Sequence, residues 1–108
     1  LVNGNTEAFP LSINNNFTPD EYRMMDIYPN PFNSSTTIAI NPNKLLETPY
    51  SIYIYDALGR LVETLIDNRK ITGKKDIHWN ASNQASGIYF IQLRTNFNYE
   101  IKKVVLLK

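Results

Sequence analysis

The chain contains no cysteine and carries little net charge, and these two features narrow its possible functions. Its 108 residues include 11 Lys and Arg against 10 Asp and Glu, so the formal net charge is +1. The absence of cysteine excludes disulfide bonds, thiol catalysis and thiolate zinc sites. Near neutrality gives no long-range field that would attract nucleic acid or an anionic membrane surface. We therefore expect no nucleic-acid partner.

Long apolar runs and histidine clusters are also missing. No stretch approaches the roughly 20 apolar residues that span a bilayer, and the first residues do not read as a signal peptide, so we expect another segment to begin any export. His78 is the only histidine, and we interpret it as an ordinary strand residue. No acid, base and nucleophile set can be assembled from the remaining residues. We expect no catalysis, no metal, no cofactor and no small-molecule substrate.

Short alternating apolar runs, separated by turn residues about every ten positions, begin near residue 25 and are typical of a β-sandwich. The residues before them are rich in Asn, Thr, Pro and Gly, and we interpret residues 1–24 as a linker or the end of a preceding domain, with a possible short strand at 9–13. The stretch "NKLLE" predicts a helical turn or a loop. The predicted strands are 25–28, 36–41, 50–56, 61–66, 75–79, 88–95 and 99–107.

The stretch "SIYIYDALGRLVETLI" predicts a hairpin with one apolar face. Ile52 and Ile54 alternate with Tyr53 and Tyr55, so the isoleucines are expected in the core and the tyrosines on the other face. Asp56 and Gly59 have the turn chemistry needed to reverse the chain. The residues expected to be buried are Ile38, Ile40, Ile52, Ile54, Leu65, Trp79, Tyr89, Ile91 and Val105.

Two prolines alternate with asparagines in "YPNPFN", directly before an apolar run. Pro29 and Pro31 lack an amide hydrogen, so this segment does not fit the centre of a sheet. We expect it at an edge, where the chain leaves one sheet and crosses to the other. There Asn30 and Asn33 would bond freed backbone groups through their side chains, and Phe32 would close the end of the core.

The order of several short blocks resembles the type A C-terminal sorting domain of the type IX secretion system, found on cargo proteins of Bacteroidetes. The blocks are "YPNPFN", "TTIAI", "IYIYDALGRLVETL", "ITGKKDIHWNASNQASGIYFIQLRT" and "KKVVLLK", and the resemblance covers about residues 25–108. The chain departs from the family at Asn80, where members often have Asp, in the shorter loop "NASNQASG", and in the longer connection "NPNKLLETP". These differences fall in loops.

The resemblance implies an all-β, immunoglobulin-like antiparallel β-sandwich of about seven strands at residues 25–108, acting as an export address. The implied partners are the outer-membrane translocon, a sortase-like cysteine protease that removes the domain in front of its first strand, and a covalently fused N-terminal cargo. The cargo would pass through the periplasm of a Gram-negative bacterium and become secreted or displayed on the cell surface.

We expect recognition to use the last strand and the turn motifs, because a sheet edge offers backbone hydrogen bonds together with alternating side chains. In that strand Lys102, Lys103 and Lys108 are expected to mark one face, with Val105 and Leu107 packed. The expected recognition residues are Pro29, Pro31, Gly59, Gly87, Lys102, Lys103, Val104, Val105, Leu106, Leu107 and Lys108.

Two other classes stay open. A carbohydrate-binding or adhesive sandwich would need an exposed aromatic face, whereas a single Trp in a small sandwich usually anchors the core. A structural immunoglobulin-like spacer is the second class, because "IYDALGR" resembles such modules. The terminal position of "KKVVLLK" argues against the spacer.

Overall fold

The computed structural model describes residues 23–41, 48–70 and 75–108, and these ranges contain seven strands and no helix. The predicted strands agree closely with the observed ones, the largest difference being β4, which continues past the predicted end at residue 66. The predictions for residues 9–13 and for "NKLLE" lie outside the described residues. The strands are β1 (Met25–Tyr28), β2 (Ser35–Ile40), β3 (Tyr50–Asp56), β4 (Leu61–Arg69), β5 (Lys75–Asn80), β6 (Gly87–Thr95) and β7 (Tyr99–Leu106).

The strands form two antiparallel sheets. One sheet has the order β1-β2-β5 and the other the order β4-β3-β6-β7. The hairpin predicted from "DALGR" joins β3 to β4, with Tyr55 opposite Leu61 near the turn. This arrangement confirms the predicted seven-strand, immunoglobulin-like β-sandwich.

The core lies between the sheets and is centred on Trp79, whose side chain is 0% exposed. Its ring centroid is 5.6 Å from that of Phe32 and 5.4 Å from that of Tyr89. The indole Nε1–H donates to Glu63 Oε1 at 3.0 Å, so the one polar atom of the ring is satisfied. The interpretation of Trp79 as a core anchor is confirmed, and this side chain offers no stacking surface to a sugar.

Most of the predicted core is confirmed. The buried residues among those predicted are Ile38, Ile40, Ile52, Ile54, Trp79, Tyr89 and Ile91, while Tyr53 and Tyr55 are half-buried on the other face. The prediction is wrong for Leu65 and Val105, which are only half-buried. Leu65 lies on the edge strand β4, where irregular pairing with β3 shifts the register. Edge positions have a neighbouring strand on one side only, so they are covered less completely.

The two faces of β7 are reversed relative to the prediction. Val104 and Leu106 are fully buried, whereas Leu107 is 56% exposed. The register explains the reversal, because Val104 lies opposite Tyr89, whose side chain points into the core. Alternation along a strand then turns Val105 and Leu107 outward.

Candidate functional site

The Pro-Asn segment, residues 29–33, carries the chain from one sheet to the other. Before it, β1 pairs with β2 in the three-stranded sheet. After the two prolines, Phe32 forms a parallel bridge with Leu106 at the edge of the four-stranded sheet. Both the Tyr28–Pro29 and the Asn30–Pro31 peptide bonds are cis. The predicted crossing between sheets is confirmed.

Asn30 pairs with β7 through its side chain in the way that a backbone amide would. Its Nδ2–H donates to the Lys103 carbonyl at 3.0 Å, and its Oδ1 accepts from the Val105 N–H at 3.0 Å. The side chain therefore supplies a donor and an acceptor at a point where the flanking prolines offer no N–H. This confirms the expected role of Asn30. The same expectation for Asn33 is wrong, since its side chain makes no hydrogen bond within the described ranges.

Phe32 continues the pairing through its own backbone. Its N–H donates to the Val105 carbonyl and its carbonyl accepts from the Leu107 N–H, both at 2.9 Å. The side chain is buried against Trp79, as expected. Together with Asn30, Phe32 places four hydrogen bonds on the β7 edge between Lys103 and Leu107. The Pro-Asn segment and the C-terminal block therefore form one continuous structure.

A second contact ties β7 to the start of β1. Oε1 of Glu100 accepts from the N–H groups of Met24 and Met25, at 2.7 Å and 3.2 Å. Both methionines are buried. The contact fixes the point where the chain enters the sandwich. Sequence reasoning missed Glu100, whose only signal was a carboxylate within an otherwise apolar and basic strand.

The three lysines of the C-terminal block lie in three different environments. Lys102 occupies a core-side position, and its Nζ is 3.5 Å from Glu100 Oε2. Lys103 is exposed on the opposite face and meets no carboxylate among the described residues. Lys108 donates from its backbone N–H to Ser86 Oγ at 3.0 Å and from Nζ to the Ser82 carbonyl. The prediction of one lysine-marked face is wrong, because adjacent residues of a strand point to opposite faces.

The turns of Gly59 and Gly87 meet at the same end of the sheet. An open cleft of about 220 Å³ lies between them, lined by residues of both turns, including Leu58 and Ile88. Gly87 is opposite Leu106 in the register, so the cleft adjoins the end of β7. The structure thus gathers the predicted recognition residues along one edge and one end of the four-stranded sheet.

Asp56 organises the first of these turns. Its Oδ1 accepts from the N–H groups of Leu58 and Arg60, both at 2.9 Å, and Arg60 Nε donates to Oδ2 at 2.8 Å. The bond from the Arg60 N–H is the largest of the causes that hold the pKa of Asp56 below its usual value. Gly59 has φ +83°, which accounts for glycine at this position.

The described residues contain no group of ligands able to hold a metal ion. His78 is exposed on β5, with its Nδ1 3.0 Å from Thr37 Oγ1, as befits a strand residue. Within the same part of the chain, no helix has the length and apolar character needed to cross a bilayer.

Comparison with protein families matches residues 26–107 to the secretion system C-terminal sorting domain. The chain belongs to this family. It is a C-terminal sorting signal domain of the type IX secretion system, which interacts with that system and marks a secreted or cell-surface protein of Bacteroidetes-type secretion. The family is one of sorting signals rather than of catalysts. Comparison with curated proteins finds no match.

Among solved structures, the chain is similar to part of PorZ, an essential bacterial surface component of the type IX secretion system of Porphyromonas gingivalis. The sequence identity is 21% and the TM-score is 0.57. The match covers 78% of this chain and 11% of the PorZ chain. At this identity the likeness supports the shared fold and no finer statement.

Proposed function

We propose that this domain delivers a cargo, fused in front of it, to the outer-membrane translocon after passage through the periplasm. The observation that carries the proposal is the pairing of the Pro-Asn segment with β7. Asn30 and Phe32 bond to β7 more than seventy positions further along the chain. Two sequence blocks that resemble the family thereby form one rigid surface. A receptor that handles unrelated cargoes needs such a separately folded tag.

The proposed recognition surface is the β7 edge with the adjoining glycine turns. It includes Pro29, Pro31, Gly59 and Gly87, together with the outward-facing residues of the terminal block 102–108, whose Val104 and Leu106 are fully buried. The described side chains in this block are held by hydrogen bonds or packing at several points, which limits the ordering cost on binding. The surface therefore suits a partner that is complementary to it in shape as well as in charge.

Cleavage by a sortase-like cysteine protease would fall in residues 1–21, within the proposed linker to the cargo. A protease needs an extended substrate that can leave the fold. Met24 is buried, and the backbone N–H groups of Met24 and Met25 are bonded to Glu100, so a cut behind them would require the start of the sandwich to open. We expect limited proteolysis to cut first in front of Arg23. First cuts inside the sandwich, with the linker resistant, would contradict this.

A reporter fusion tests the delivery step. The chain is fused behind a reporter carrying a signal peptide and expressed in a bacterium with a working type IX secretion system. The reporter alone and a translocon-deficient strain serve as controls. We expect surface or medium fractions to contain the reporter only when the chain and the translocon are both present. Equal delivery without the chain would contradict the proposal.

A further inference from the structure

The two outer faces of the sandwich differ in their share of aromatic and aliphatic side chains. On the three-stranded sheet, the outward positions are mostly polar and include Asp26, Thr37, Asp76 and His78 beside Tyr28 and Ala39. The outward positions of β3, β6 and β7, called the outer face below, include Tyr53, Tyr55, Phe90, Arg94, Ile101 and Lys103. An antiparallel sheet with one solvated side is expected to be polar there. The outer face does not follow this pattern.

The side chains of the outer face lie side by side across the three strands. In the strand registers, Tyr53 lies opposite Gln92, which in turn lies opposite Ile101. Tyr55 donates to Gln92 Oε1 at 3.3 Å, and the neighbouring side chains leave Gln92 only 8% exposed. Ile101 is nevertheless 49% exposed on the outer face. Exposed apolar side chains on the outer side of a sheet are typical of interaction sites when they lie together.

The charge of the outer face has one sign. Arg94 and Lys103 are both exposed there, while the only acidic residues of β3, β6 and β7 are Asp56 and Glu100. Both of these stand at core-side positions, opposite Tyr89 and Leu93. The cations of the outer face therefore have no carboxylate from these strands. A complementary surface would supply carboxylates among apolar side chains.

We propose that the outer face docks onto an acidic, apolar protein surface of the secretion machinery, with Lys103 and Ile101 among its contacts. This inference rests on the proposed function and deepens it by naming the face and the chemistry of its partner. It assigns different roles to adjacent lysines. Lys103 faces the partner, whereas Lys102 belongs to the ion pair with Glu100 on the core side.

The test measures surface delivery of a reporter fused to the full chain, with the wild-type chain beside every variant. Lys103→Glu and Ile101→Thr change outer-face side chains that are exposed, so the fold is retained. Lys75→Glu is the matched control, since it makes the same charge reversal at an exposed position of the other sheet. We expect roughly tenfold less delivery for each outer-face variant and no more than about a twofold change for the control.

Several outcomes would overturn the proposal. The secretion machinery does not recognise the outer face if both outer-face variants are delivered like the wild type and melt close to the parent temperature. Failure of the wild-type chain itself rejects the proposed function and this inference with it. Purified chain is expected to be monomeric by light scattering. A dimer that Lys103→Glu dissociates would assign the face to a second copy instead.

The chain's own acidic residues Asp20 and Glu21 are another possible occupant to test. If they cover the outer face, replacing them with Asn and Gln lowers the melting temperature of the parent but not that of the Lys103→Glu variant. That result would overturn the proposal, whereas equal melting temperatures support it.

Discussion

Replacing Asn30 with Ala tests whether a side chain holds the Pro-Asn segment against β7. The change removes the bonds to the Lys103 carbonyl and the Val105 N–H. Each hydrogen bond contributes about 0.5–1.5 kcal/mol net, and water can reach the freed groups at this exposed edge. We therefore expect a loss of about 1–2 kcal/mol in the free energy of unfolding. In a domain of this size that lowers the melting temperature by about 5–15 °C.

Two further variants make the assay decisive. Asn33→Ala is the matched control, because Asn33 is exposed and only its backbone carbonyl is used, accepting from the Ser35 N–H. It should change stability by less than about 0.5 kcal/mol. Asn30→Asp keeps the acceptor for Val105 but places a carboxylate oxygen against the Lys103 carbonyl. We expect it to be no more stable than Asn30→Ala at neutral pH. Thermal melts by circular dichroism that show Asn30→Ala and Asn33→Ala to be equal would refute the reasoning.

Two remaining predictions concern the turn between β3 and β4. Hydrogen bonds lower the pKa of Asp56 in the folded state. The charged carboxylate therefore stabilises the fold at pH values above the unfolded pKa. This stabilisation is lost as the pH falls through the folded pKa. The melting-temperature gap between the parent and Asp56→Asn should therefore be widest near neutral pH and close in acid, and a gap unchanged down to pH ~2 would contradict this. Gly59→Ala should lower the free energy of unfolding, measured by chemical denaturation, by about 1–2 kcal/mol, because an L-residue is strained at φ +83°. No clash adds to this cost, since no atom lies within 4 Å of the added Cβ. A neutral result would show that the turn adjusts its backbone.

The strands and the first hairpin were predictable because their signals are local. Alternation of Ile52 and Ile54 with Tyr53 and Tyr55 fixes both the strand and its buried face. Asp56 and Gly59 fix the turn that follows. The crossing at Pro29 and Pro31 was also predictable, since proline removes the donors that a central strand requires. The partner of the crossing segment was not, because nothing local relates Asn30 to Val105.

The orientation of β7 was not predictable from its own pattern. Four consecutive aliphatic residues, 104–107, satisfy either assignment of the buried face equally well. Pairing with β6 settles the choice by placing Val104 opposite Tyr89. A register shift of one residue would reverse every side chain. The proposed difference in role between Lys102 and Lys103 follows from this long-range pairing.

Because the β7 surface depends on long-range pairing, a sorting signal that acts through this surface can be recognised only after it has folded. Asn30 and Phe32 complete the β7 edge, and Glu100 anchors the start of the sandwich. On the core side, Val104 of β7 lies opposite Tyr89, whose ring contacts Trp79. These contacts join residues that are far apart or well separated in the sequence. An unfolded chain therefore has the same amino-acid sequence but does not form the β7 surface. Shortening the chain to the C-terminal block would leave a peptide without partners for its edge or its apolar face. If this surface is recognised as proposed, the sandwich must fold first. A variant that unfolds the domain should then lose delivery even when every proposed recognition residue is intact. Stability must accordingly be measured beside delivery before a loss of export is attributed to any single side chain.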